Sequence, residues 1–436
     1  MQLNVRLHTN SALITMKVHY LFDLKLIAFA VIFGAFIFGA SAAAQPRQER
    51  LLNGLKILMW RDYNAKDVSI RLRINSGAAF DPQGKEGVMR LTADSIFPNQ
   101  AAREYFRDEL GGGLDVVTNY DYIEIDASGR SDTLLQLLET VAAAVSSQSI
   151  DKEVTSKLKQ ELTAEVSAAA ADPAKIADAE LRKRLFGTFP YGRPMNGSPE
   201  SIAKIDFADL INAKLRFLTA DNSTLAISGN FDPSFAVKAS RRLFGSWAKA
   251  DKTVPPTFKQ PDDPPKEVQT VTVAGASNQF VRYGLRGVSR SDKDFGPAMV
   301  LARIMKERTE ARSGRSKIER VFAEMQPHVL PGAFFLGFTM PNAGIADSSL
   351  DMTNFIKDLL SAPITDTEIA AARDEFRKEW AKNDAATLWL DSDTFKTGDA
   401  ASQAKIADAV TFADVRAVAD RVAKEPVAAV IVKGGN

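Results

Sequence analysis

One segment of this chain holds side chains at the spacing used by metal-dependent hydrolysis, but the residue types do not suit it. Arg90, Ala93 and Asp94 stand at i, i+3 and i+4 between Gly87 and Phe97. On a helix these positions, with Phe97, share one stripe, opposite Val88, Leu91, Thr92 and Ser95. Two histidines at i and i+4 grip a zinc ion, and a glutamate between them takes the proton of the attacking water. Arg90 is a permanent cation and cannot ligate, and Ala93 cannot act as a base. The remaining chemistry is sparse. Cysteine is absent, which removes disulfides, thiolate nucleophiles and thiolate metal sites together. Of three histidines only His328 lies beyond the N-terminal segment, and one histidine cannot supply two ligands. No nucleophile-elbow motif accompanies it, so it reads as a surface or satisfied core histidine. Gly111, Gly112 and Gly113 precede an expected strand, which makes them a turn rather than a phosphate cradle. The run from Lys306 to Arg320, rich in Lys, Arg and Glu, reads as a solvated helix face.

At 436 residues the chain is long enough for two or more domains. Hydrophobic residues make up 45% and charged residues 25%, an ordinary globular balance. A net charge of +1 gives no reason to expect a nucleic acid as partner. Lys17 and Lys25 precede an apolar run from Leu26 to Ala40, and Ala42-x-Ala44 suits a signal peptidase. Residues 1–44 are therefore expected to be a signal peptide, or a membrane anchor if uncleaved, with Met16 as an alternative start. The folded part is then periplasmic, and it touches a membrane only through that segment. No later stretch is apolar enough to span a bilayer.

The elements that position Arg90 follow from pattern. A strand broken by an Asn53-Gly54 turn opens the folded part, and an alternating strand follows from Val68 to Ile74. Gly84 and Gly87 bracket the start of the Arg90 helix, and Pro98 ends it. Ile123, Ile125 and Ala127 alternate with polar residues as in a half-buried strand. Helices are expected from Leu134 to Ser147 and from Lys152 to Ala171, with Asp172-Pro173 as the stop, and a strand from Leu225 to Ser228. Prolines crowd the stretch 249–268, which reads as a semi-rigid linker between domains at 45–248 and 269–436. The second half repeats the mixed pattern: strands at Gln269–Val273, Phe280–Leu285 and Ala333–Thr339, and a helix at Pro297–Arg308.

Several segments together resemble the pitrilysin/insulinase-like inverted-zincin metallopeptidases, in their processing-peptidase-like two-domain branch. Gly87 to Phe97 is similar to that family's zinc helix, with Arg90, Ala93 and Asp94 in place of its His-x-x-Glu-His. Leu110-Gly111-Gly112-Gly113-Leu114-Asp115, with Thr118 and Asp121, resembles its Leu-Gly-Gly-x-x-Asn-Ala-x-Thr-x-x-Asp segment. Pro190-Tyr191-Gly192 with Gly197, and Ser228 to Asp232 after Asn222, resemble two later motifs, and Glu165 matches the third zinc ligand.

The resemblance implies an α+β fold: a tandem of two similar α/β sandwich domains, each an antiparallel-rich sheet with helices on it. It also implies a degenerate site at Arg90, Ala93, Asp94 and Glu165, with no catalytic residue, no bound metal and no cofactor. Glu165 shares a stripe with Leu158 and is expected to be partly buried. Arg90 then occupies the old metal position and pairs with Asp94, Glu165 or both; otherwise Arg90 and Asp94 form only an exposed i,i+4 pair. Peptides are expected along an edge strand at Asp115, Val116, Val117 and Thr118. Active family pairs take an Arg and a Tyr from the non-zinc chain. Arg320 is the candidate for the first, and no tyrosine follows Tyr283. The function implied is a non-catalytic subunit that pairs with a catalytic peptidase chain carrying an intact zinc helix. The alternative is a stand-alone periplasmic peptide-binding or assembly protein. The exported protein is expected to begin at Gln45, which an intact-mass measurement checks.

Overall fold

The computed structural model describes residues 46–146, 150–250, 258–312, 317–342 and 351–435. The signal segment and residues 251–257 of the Pro-rich stretch lie outside these. The first half holds strands β1 (Arg47–Arg50), β2 (Lys56–Arg61), β3 (Asp67–Ile74), β4 (Gly113–Thr118), β5 (Ile123–Arg130) and β6 (Ser223–Gly229). Its longer helices are α1 (Val88–Asp94), α2 (Gln100–Asp108), α3 (Leu134–Ser146), α4 (Lys152–Ala170), α5 (Pro173–Phe186), α6 (Phe207–Phe217) and α7 (Pro233–Phe244). The second half contributes β7 (Gln269–Val273), β8 (Asn278–Arg286), β9 (Glu319–Gln326), β10 (Ala333–Pro341) and β11 (Ala428–Gly434). Its longer helices are α8 (Phe295–Glu310), α9 (Asp366–Trp380), α10 (Ala385–Phe395) and α11 (Phe412–Val422).

The two sheets run in the orders β1-β2-β6-β3-β5-β4 and β7-β11-β8-β10-β9. In each, the first long strand lies parallel to the last, β2 on β6 and β7 on β11. The remaining neighbours are antiparallel. With β1 set aside, the halves have the same topology, and α4–α5 in one hold the chain positions of α9–α10 in the other. The fold is thus α+β and twofold, as the sequence implied.

Strand alternation separates the faces. Ile70, Leu72, Ile125, Leu225 and Ile227 enter one core under α1, α3, α6 and α7. Val281, Tyr283, Leu336 and Phe338 enter another under α8, α9 and α11. The second face of each sheet is covered by a helix from the other half. Helix α5 lays Ala177, Leu181 and Leu185 against Phe335, Ala428 and Val430, and Arg282 Nε meets Asp178 at 2.6 Å. Helix α10 lies over the polar face of the first sheet. There Lys56 pairs with Asp393 at 2.7 Å, Arg71 with Asp384 at 2.6 Å, and Arg73 with Asp391 and Glu124 at 2.7 Å each. A small apolar patch, Leu390 and Ala386 on Ala226 with Trp60 beside it, and an edge-on contact of Phe395 with Tyr122 accompany these ions.

Two expectations need correction. Asp172-Pro173 ends α4 but also starts α5, because Asp172 accepts a hydrogen bond from the Ala174 N–H at 2.8 Å and Pro173 fits a first helical position. The run from Lys306 to Arg320 is not one solvated helix. Arg308 is spent on Glu368 and on the carbonyls of Leu359 and Ala362, and Arg320 already belongs to β9.

Helix α1 begins at a buried carboxylate. Asp81 accepts from the N–H groups of Gly87 and Met89, both at 2.7 Å, which satisfies donors that the helix leaves free. Gly87 has φ 103°, open to glycine at little cost.

Arg73 is 3% exposed between two carboxylates. Arg73→Ala removes the one cation bonded to both and is expected to cost about 3–5 kcal/mol in urea unfolding. Burial pushes Asp81 from its ordinary 3.8 to about 7, against its two N–H donors and Arg193. The folded state then binds more protons than the unfolded chain inside that window. The stability contribution of Asp81 is full below pH 3.8 and is lost as pH rises to about 7. Unfolding free energies of the wild type minus those of Asp81→Asn should fall across this range; a rise would show that the N–H bonds outweigh burial.

Candidate functional site

The site stands where α1 meets α4. Val88, Met89, Leu91 and Thr92 are buried in the first core, which leaves Arg90 and Asp94 on the side toward α4. Helix α4 starts at Asp151, whose side chain accepts from the Val154 N–H at 2.7 Å. Its buried stripe is Leu158, Leu162 and Val166. These two helices bring Arg90, Asp94 and Glu165 together. The Arg90 Nε donates to Asp94 Oδ2 at 2.9 Å and Oδ1 at 3.2 Å. Its Nη2 and Nη1 donate to Glu165 Oε2 at 3.1 Å and Oε1 at 3.4 Å. Asn196, from the loop after Pro190-Tyr191-Gly192, donates to Glu165 Oε1 at 3.3 Å. That loop is seated against the start of α1: a Cβ on Gly197 would fall 2.3 Å from the Glu86 carbonyl oxygen.

The Glu165 side chain is 50% exposed, at the shallow end of the partial burial expected. Leu158 is on the same stripe, but α4 leaves the core after Val166, and residues 167–171 are exposed. Burial works against the charge on Arg90, yet the Asp94 and Glu165 carboxylates outweigh it and hold its pKa above the usual arginine value. Burial lifts the Asp94 carboxyl above its ordinary range despite Arg90.

A cavity of about 210 Å³ opens beside this triad, bounded also by Phe97, Arg103, Val116 and Glu161. Glu165 also lines a larger cleft of about 750 Å³ between α4 and α5, floored by Val166, Ala170 and Ile176. The β4 strand is one edge of the first sheet and, among the described residues, pairs only with β5. On it Asp115 and Val117 are exposed, Val116 faces the small cavity, and Thr118 is buried. Asp115 lies directly opposite Asp126, and like charges so placed repel.

The zinc implied by the resemblance does not fit these residues. Its first donor is replaced by a guanidinium, and the two carboxylates that remain are both engaged by that guanidinium. Ala93, 1% exposed, offers no base. Among the described residues no three of His, Cys, Asp and Glu converge as ligands. Arg320 begins β9, on the edge of the other sheet, with φ 49°.

His328 is a satisfied histidine at the junction of the halves. Its Nδ1 lies 2.8 Å from Asp121 Oδ2, and its ring lies over Tyr191 at 4.2 Å. Asp121 Oδ1 also accepts from the Tyr191 hydroxyl at 3.0 Å and the Val329 N–H at 3.2 Å. Burial first, and Asp121 second, push the Tyr191 hydroxyl pKa well up. Asp121 and Tyr191 were legible as motif residues, but their shared partner His328 was not.

Residues 204–376 match the family described as Peptidase M16 inactive domain. A zinc protease of Rickettsia bellii, itself uncharacterized, is 24% identical over 211 residues, 47% of this chain and 51% of its own. The chain thus spans about half the length of that relative. A mitochondrial cytochrome b-c1 complex reductase subunit of Candida albicans is 24% identical over 359 residues, 79% of each chain. The crystal structure of a peptidase M16 inactive domain from Pseudomonas fluorescens has a similar fold, with TM-score 0.79 at 17% identity, over 90% of this chain and 98% of that one. The periplasmic protease PqqL of Escherichia coli also shares the fold, with TM-score 0.68 at 14% identity, over 90% of this chain and 48% of that one. Motifs, the family match over residues 204–376 and the fold agree in likening this chain to the M16 peptidases.

Proposed function

We propose that this protein is a non-catalytic subunit of an exported M16 zinc peptidase. It pairs with a catalytic relative that keeps His-x-x-Glu-His, and the two close a chamber around peptides. The observation that carries this reading is the Arg90 guanidinium, bonded to Asp94 and Glu165 where the family holds its metal. A peptide then lies along β4, whose edge carries no Lys, Arg or Pro to block pairing. The exported location is supported by Lys17, Lys25, the apolar run to Ala40 and the Ala42-x-Ala44 site, and by a periplasmic fold neighbour.

A second reading, an assembly protein without a protease partner, is favoured by one observation. The likeness to a respiratory-complex subunit extends over 79% of both chains. The two readings separate in one experiment. The purified protein is mixed with a zinc-intact M16 chain from the same source, and cleavage of a peptide library is followed with size-exclusion chromatography of the mixture. Co-elution with cleavage raised several-fold over the zinc chain alone is the expected result. Separate elution with unchanged cleavage overturns the subunit reading.

A further inference from the structure

We propose that Arg90 has taken over the metal's structural role: it is the resident cation of this site and cross-links α1 to α4. Three of its nitrogens are committed, Nε to Asp94 within its own helix and the two Nη atoms to Glu165 on α4. Among the described residues no other hydrogen bond or ion pair to a cation reaches Asp94, and the Arg103 charge acts on it only at longer range. Glu165 has one other partner, the neutral Asn196. Arg103 lines the same cavity but forms no ion pair there. The guanidinium is therefore what keeps two carboxylates on separate helices from facing each other uncompensated. Arginine stays charged at every working pH, so the cation of this cross-link depends neither on metal supply nor on its own protonation. For the same reason a divalent ion is repelled from the position.

The geometry carries a sharper consequence. The donor set is one residue short of a metal site, since Asp94 and Glu165 already converge on the point that Arg90 fills. A histidine at position 90 stands at i with Asp94 at i+4 on one helix face, and Glu165 supplies a third ligand from α4. Three such N and O donors are a sufficient zinc set. A single substitution is then expected to convert the ion pair into a zinc site, with no change at Ala93 and hence no base to activate water. This inference is independent of any partner chain.

The test uses the isolated full-length protein and reads thermal unfolding and zinc uptake by calorimetry. The wild type is expected to unfold at the same temperature with zinc, without it and with a chelator. Arg90→Ala and Arg90→Lys should lower the midpoint, the lysine variant less, because it keeps the charge and loses the fork. Arg90→His should be lowered without metal, restored by added zinc, and take up one ion more than the wild type. Glu165→Gln added to Arg90→His should abolish that uptake. A wild type destabilised by the chelator, an Arg90→Ala variant as stable as the wild type, or an Arg90→His variant indifferent to zinc would each overturn the proposal. Should Arg90→Ala fail to fold, the lysine and histidine variants still decide it.

Discussion

An open sheet must cover two faces, and in this protein each half supplies helices for only one. Helix α5 leaves the first half to cover the second sheet, and α10 returns the exchange. The two covers differ in kind. Under α5 the contact is mainly apolar, with Leu181 and Leu185 packed on Phe335 and Val430 beside the single Arg282–Asp178 ion pair. Under α10 it is ionic, with three aspartates meeting Lys56, Arg71 and Arg73. Nondirectional apolar burial supplies most of the driving force on one side. On the other, partly buried pairs fix the register of the helix on the sheet, since each charge left unmatched there is costly. The His328–Asp121–Tyr191 knot adds a third tie at the junction.

The exchange also sets the site. For α5 to reach the second sheet, the chain must turn sharply at Asp172-Pro173, and α4 must leave its own core before that turn. Glu165 sits on the part of α4 that is leaving, one residue before the last buried position, Val166. Its carboxylate is therefore half in solvent but held beside Arg90, at the mouth of the cleft between α4 and α5. The position of Glu165 follows from a helix that crosses between halves, not from the local packing of α1.

Much of this was legible in the sequence because it is local. Alternating Ile123, Ile125 and Ala127 marked β5, and Asn53-Gly54 marked the hairpin, where Gly54 adopts φ 96°. Gly87 and Pro98 bracketed α1, and the spacing of Arg90 and Asp94 announced their pairing. The destination of α5 was not legible, because its apolar residues state that a face is buried without stating against which sheet. Nor was the role of α10: nothing in the sequence pairs Asp384, Asp391 and Asp393 with Lys56, Arg71 and Arg73, more than 300 residues away. Strand β9 was missed because Glu319, Arg320 and Glu324 interrupt its apolar residues, as an edge strand permits. The shallow depth of Glu165 was not legible, because a shared helix stripe guarantees direction, not depth.

The same separation of scales explains how the α1–α4 junction can hold a guanidinium in place of imidazole donors without loss of the fold. Arg90 and its partners are between 24% and 50% exposed, and ion pairs at such exposure contribute modestly. Arg73, at 3% exposure and bonded across the halves, belongs to a costlier class. The halves are held by the exchanged helices and by buried charges such as this one, so the α1–α4 junction needs only enough attraction to keep two acids from repelling. A guanidinium meets that need with the scaffold otherwise intact, from the Asp81 cap at the start of α1 to the Gly197 turn packed on Glu86. The sheets, their helices and the β4 edge are therefore set by packing that does not depend on which residue stands at position 90.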